Sequence, residues 1–124
     1  MARRRWEELE EEERRRLRLF LDSIAEKKGE RTVVLDLREL STTVDYFVIT
    51  EGSTDKQVEA IAANIMERLD GPAPITEGLD SKRWVVLDYG DVMIHIFQPE
   101  VRRFYDLEGL WGETELEVDG GTSS

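Results

Sequence analysis

The chain has 124 residues, no cysteine, and 28 acidic against 17 basic residues, for a formal charge of −11. That length gives one domain with one core, and the missing thiols exclude disulfides, thiolate zinc sites and cysteine nucleophiles while fitting a reducing compartment. The negative balance repels phosphate backbones and suits a basic protein partner, so direct nucleic-acid recognition is not expected.

From Met1 to Lys28 the composition is that of a helix, with Glu10, Glu11 and Glu12 each four residues before Arg14, Arg15 and Arg16. Residues 1–16 read as a charged extension with a mostly solvated face. Leu17, Phe20, Leu21 and Ile24 then give the stripe of a helix docked on a core, and Gly29 is placed to stop it. No apolar core follows Arg3 to Arg5 as a secretory signal requires, the glutamates from Glu7 to Glu13 disfavour a mitochondrial presequence, and no run approaches the roughly 20 apolar residues that cross a bilayer. A cytoplasmic location without membrane contact is expected.

Thr32 to Leu37 and Tyr46 to Thr50 read as strands joined by the polar Ser41-Thr42-Thr43 connection. Thr54 and Gln57 have the spacing of a capping box, and Val58, Ile61, Ala62, Ile65, Met66 and Leu69 form the buried face of the helix that follows. Asp70-Gly71-Pro72 ends that helix, and the loop to Lys82 carries a short edge strand near Ile75.

Arg83 to Phe97 predicts a β-hairpin about Tyr89-Gly90, at the centre of the sheet. Val92, Ile94 and Ile96 share one face of its second strand and Met93, His95 and Phe97 the other. A strand apolar on both faces is normally covered on both, which predicts a mixed sheet flanked by helices. Pro99 opens a third helix whose apolar face is Val101, Phe104, Leu107 and Leu110 or Trp111, with Gly109 weakening its last turn by about 1 kcal/mol. From Gly112 the acidic, then Gly-Gly-Thr-Ser-Ser, composition predicts an unstructured tail over 112–124.

Chemistry has few footholds. His95, the single histidine, is read as a hydrogen-bonded structural or interface residue; acid–base work would need Asp36 or Asp88 as its partner, and no second imidazole or thiol supports a metal. Gly52-Ser53 between strand and helix could face a phosphate or could simply form a turn and cap. A nucleotidyltransferase would need an Asp-x-Asp-type pair shortly afterwards, which is missing, so neither catalysis nor a cofactor is expected. Trp84, Tyr89, Tyr105 and Trp111 serve core or interface, with Trp84 and Tyr89, beside Asp88 and Asp91, better suited to a basic partner.

Val44-Asp45-Tyr46-Phe47-Val48-Ile49, Gly52-Ser53-Thr54 through Gln57-Val58-Glu59-Ala60-Ile61-Ala62, Glu77-Gly78, Trp84 to Phe97, Arg102, Phe104-Tyr105, Leu107-Glu108 and Leu110-Trp111 form an ordered set. In that set the chain resembles the ribosomal silencing factors, also called Iojap-related, over about 17–111. The resemblance implies a single α/β domain of nucleotidyltransferase-like topology without catalytic carboxylates. It implies binding to the fourteenth protein of the large ribosomal subunit, which obstructs joining with the small subunit and represses translation. By position, the partner surface would draw on Trp84, Asp88, Tyr89, Asp91, Met93, His95, Arg102, Tyr105 and Glu108. A homodimer and a nucleotide-binding domain remain as alternatives.

Overall fold

The computed structural model describes residues 5–111, 114–116 and 118. Its strands β1 (Glu30–Asp36), β2 (Tyr46–Glu51), β3 (Ile75–Glu77), β4 (Trp84–Asp88) and β5 (Val92–Phe97) lie in one sheet in the order β1-β2-β5-β4-β3. β2 and β5 run parallel and the other neighbours antiparallel. The mixed sheet predicted from the two-faced hairpin strand is therefore the one that forms, with β5 in the middle. The hairpin turns at Gly90, whose φ of +92° favours glycine, and Asp88 Oδ1 accepts the Gly90 N–H at 2.8 Å.

One face of the sheet is sealed by α1 (Glu11–Glu26) and α2 (Asp55–Arg68). Leu17, Phe20 and Ile24 of α1 and Val58, Ile61 and Ile65 of α2 are buried against Val48, Val85, Leu87, Ile94 and Ile96. The three-and-four spacing produces that contact, because it lines each apolar stripe along one side of its helix. At the start of α2, Thr54 Oγ1 accepts the Gln57 N–H at 3.1 Å, while Gln57 Oε1 reaches back to the Ser53 N–H at 2.7 Å. The reciprocal cap thus closes one residue earlier than the box spacing predicts.

Both chain ends depart from expectation. The helix begins at Glu11, after a short 3-10 turn at Trp6–Glu8, and Trp6 and Leu9 are buried in the helical core. Arg14 Nη1 ties this turn down by donating to Glu7 O at 3.1 Å and Leu9 O at 2.6 Å. Two isolated apolar residues make no periodic stripe, so their burial was invisible to pattern. Glu11 and Arg15 do pair at 3.8 Å in solvent, but Arg16 turns to Asp91 at 3.0 Å.

The single third helix divides into α3 (Pro99–Tyr105) and α4 (Leu107–Trp111) at Asp106, whose φ is +45°. Asp106 Oδ1 accepts the Gly109 N–H at 3.1 Å, and a Cβ on Gly109 would stand 2.2 Å from Asp106 Oδ2. Gly109 accordingly makes room for the cap of α4 rather than weakening a last turn. Val101 and Leu107 pack inward as predicted, whereas Phe104 and Leu110 are 80% and 74% exposed. Arg102 takes an inward position instead, for electrostatic reasons given below.

Part of the expected tail is ordered against the sheet. Glu115 bridges Leu35 on the free edge of β1, Leu116 N–H donates to Val34 O at 2.7 Å, and the Leu116 side chain is buried in the helical core. One leucine between acidic neighbours carries no periodic signal, yet a strand edge satisfies its backbone and the core takes its side chain. The remaining tail positions, 112, 113, 117 and 119–124, and the Trp111 side chain lie outside the described residues. Leu116→Ala should lower unfolding free energy by about 2 kcal/mol in urea titrations, because it removes buried volume; an unchanged midpoint would mean the tail contributes no packing.

Candidate binding face

The antiparallel register sets Trp84 opposite Phe97, Val86 opposite His95 and Asp88 opposite Met93, so all six side chains share one face of the sheet. β2 adds Phe47 beside Met93, and β3 adds Ile75 and Glu77 beside Asp88 and Val86. Among the described residues this face is covered at one end alone. Val101 of α3 and Leu107 of α4 pack near Leu35, Ile49 and Phe97, which are buried. Phe47, Trp84, Val86 and Met93 remain half-buried, and Ile75 is 71% exposed. The expectation that helices would cover both faces of β5 therefore holds for one face and fails for half of the other.

Along this face runs a ladder of rings. Phe47 meets His95 edge-on at 4.6 Å, Trp84 stacks on Phe97 at 4.8 Å, and half-exposed Tyr105 of α3 lies 4.7 Å from Trp84. Phe104 continues it outward, 5.1 Å from Tyr105. At the Met93 end, Leu37, Leu40, Thr42, Val44, Phe47 and Met93 help line a recess of about 430 Å³. Glu77 and Asp88 supply carboxylates on the same face. The result is an apolar, ring-rich surface with an acidic margin, suited to a partner bearing apolar and basic groups.

His95 lies within this layer, 5% exposed, and its Nδ1 accepts the Trp84 Nε1–H at 3.0 Å. Its Nε2 has no hydrogen-bond partner among the described residues. Neither aspartate considered for acid–base work reaches it. Asp36 sits on the helical face of the sheet, where Arg38 donates to both of its oxygens at 2.9 and 2.8 Å, and Asp88 Oδ1 holds the hairpin turn. Burial pushes the His95 imidazole down from 6.5 to about 4, so it is neutral at physiological pH.

The predicted surface residues divide in space. Trp84, Asp88, Met93 and Tyr105 lie on the open face, with His95 beneath it. Tyr89 packs on the helical side, 5.1 Å from Phe20, and burial raises its hydroxyl pKa. Asp91 receives Arg16 of α1 in a two-pronged pair, both contacts 3.0 Å. Arg102 is buried, donating to Glu51 Oε1 at 3.1 Å and to the two oxygens of Glu108 at 3.1 and 2.6 Å. Arg31 joins Glu51 at 3.3 Å. These contacts dock α3 and α4 on the end of β2. Sequence reasoning missed Phe47, Ile75, Glu77 and Val86, which alternate as any strand residue does and become neighbours only through pairing.

At the start of α2 the phosphate reading loses its donors. The Gly52 N–H goes to Phe97 O at 2.9 Å and the Ser53 N–H to Gln57 Oε1, so the turn-and-cap alternative is the one realised. Among the described residues no cluster of three or more His, Cys, Asp or Glu side chains could hold a metal, and no helix is long and apolar enough to cross a membrane.

Fold and face together define a small α/β domain whose five-stranded mixed sheet is sealed by helices on one face and covered by short helices at one end of the other. The chain belongs to the ribosomal silencing factor family: the family model described as "Ribosomal silencing factor during starvation" matches residues 10–123. It is 39% identical to the Bacillus subtilis ribosomal silencing factor over 103 residues, covering 81% of this chain and 87% of that one. A protein of the same name from Halalkalibacterium halodurans is 35% identical, with 84% and 92% covered. A mouse protein named for mitochondrial assembly of the ribosomal large subunit is 33% identical over 54% of this chain, which spans 32% of its length. A crystal structure of a Chromobacterium violaceum protein superposes with a TM-score of 0.77 at 28% identity, covering 94% of this chain and 98% of that one.

Two outcomes follow from the site's electrostatics. Arg102→Leu should cost about 3 kcal/mol of stability in chemical denaturation, because it leaves the Glu51 carboxylate buried without its inner partner; a variant as stable as the parent would remove the ion triad from any structural role. For His95, the folded protein binds fewer protons than the unfolded chain between about pH 4 and 6.5. Its contribution is therefore complete above 6.5 and lost as pH falls through 4, by at most about 3 kcal/mol. Compared from pH 7 to 4.5, the unfolding midpoint of the parent should fall more steeply than that of His95→Gln, which has no imidazole to protonate; equal slopes would remove His95 from the pH dependence.

Proposed function

We propose that this protein binds the large ribosomal subunit through the open sheet face, with the subunit's fourteenth protein as its partner, and thereby obstructs joining with the small subunit. The observation that carries this reading is the apolar, ring-rich face with Glu77 and Asp88 on it, in a chain of formal charge −11 that belongs to the ribosomal silencing factors. The name of the mouse relative supports the choice of the large subunit. Ribosomal proteins are generally basic, so the charges of the two surfaces oppose.

The mechanism is occupation of a surface. A bound domain of this size fills space that the small subunit needs, and repression requires no bond to be made or broken. Trp84, Met93 and Tyr105 provide apolar contact area, and Asp88 meets a basic group. Tyr89 and Asp91, at the hairpin tip, act by holding that tip on α1. Arg102 and Glu108 act by holding α3 and α4 at the margin of the face. The site of action is the cytoplasm, where the subunits meet.

Purified protein mixed with separated subunits should co-sediment with the large one and lower the light-scattering signal of subunit joining as its concentration rises. Trp84→Ala should weaken that binding about thirtyfold, or about 2 kcal/mol, if Trp84 is a hot spot. Sedimentation with neither particle, together with undisturbed joining, would overturn the proposal.

A further inference from the structure

Trp84 lies half-buried on the open face with its indole N–H already spent. Register explains how. Trp84 stands opposite Phe97 and His95 opposite Val86, so Trp84 and His95 are diagonal neighbours across the β4–β5 ladder, within reach of long side chains. The indole Nε1–H donates to His95 Nδ1 at 3.0 Å. The stack on Phe97 at 4.8 Å and the contact with Tyr105 at 4.7 Å leave the ring little freedom to turn. His95 itself is 5% exposed and offers a partner almost no surface.

We propose that His95 is a positioning residue for the binding face: its Nδ1 holds the Trp84 indole N–H, so Trp84 meets a partner with its ring surface alone. The inference rests on the binding-face reading for the identity of the surface. It narrows the partner's chemistry there. The group that docks on Trp84 is aliphatic or cationic, because the part of the ring not covered by Phe97 and Tyr105 offers dispersion contact and aromatic electron density but no free donor for a carbonyl or carboxylate. Glu77 and Asp88, on the same face, favour a lysine or arginine whose stem lies along the ring.

Nitrogen-15 spectra of the labelled full chain resolve the indole N–H signals, and their exchange with solvent tests the lock without any partner. The Trp6 indole, buried in the helical core on the opposite face of the sheet, serves as the internal reference. His95→Leu should speed exchange of the Trp84 signal about tenfold relative to Trp6 and weaken large-subunit binding by a similar factor, whereas His95→Gln, whose side-chain oxygen can accept the same bond, should keep both near the parent. Trp84 exchange unchanged in His95→Leu, or accelerated equally at Trp6, would overturn the lock. A Trp84 N–H whose bond passes from His95 to the bound subunit would overturn the ring-only contact. If the parent chain does not bind the subunit, the functional reading falls, while the exchange comparison still decides the lock.

Discussion

The architecture turns on one strand that is apolar on both sides and a supply of helix sufficient for only one of them. Val92, Ile94 and Ile96 find α1 and α2, and that layer closes into a core. Met93, His95 and Phe97 find α3 and α4, seven and five residues long, which cover Phe97 and stop. Uncovered apolar surface on a small domain is costly to leave in water, and it is the surface on which the proposed binding rests. The open half of the face follows from this shortage of cover.

Where the cover ends is settled by charge. The Arg102 guanidinium reaches Glu51 on β2 and Glu108 on α4 from a buried position, and a buried charge of this kind is retained only when its geometry satisfies it. With the cation inward, Phe104 and Leu110 project into solvent and Tyr105 comes to rest against Trp84. Asp106, in the left-handed region, then turns the chain so that Glu108 can close the triad. A pair of helices built on apolar contact alone would have buried Phe104 and withdrawn one end of the ring ladder from the surface.

The groups that sequence reasoning singled out for chemistry are engaged within the chain. His95 is neutral and engaged with Trp84, the Gly52 and Ser53 donors are satisfied within the chain, and the carboxylates at the hairpin hold turns and ion pairs. Rigidity is what these interactions supply. A surface held in advance by stacked rings and a hydrogen-bonded indole loses less freedom on binding than a mobile one.

Much of the fold was legible in the sequence because it rests on local rules. The periods of α1 and α2, the Gly90 turn, the two-faced β5 and the Thr54 cap each follow from side chains within one element, and the ordered motifs identified the family. Trp84, Asp88, Met93 and Tyr105 were placed together by those motifs as well. Tertiary structure decided what depends on distant partners: that Tyr89 and Asp91 face α1, that Arg102 rather than Phe104 turns inward, that Trp6, Leu9 and Leu116 join the core, and that Phe47, Ile75, Glu77 and Val86 complete the face. The reason is physical. Periodicity encodes which side of an element a residue occupies, whereas the neighbour it meets there is set by strand register and by ion pairs between residues 51 and 75 positions apart in the chain.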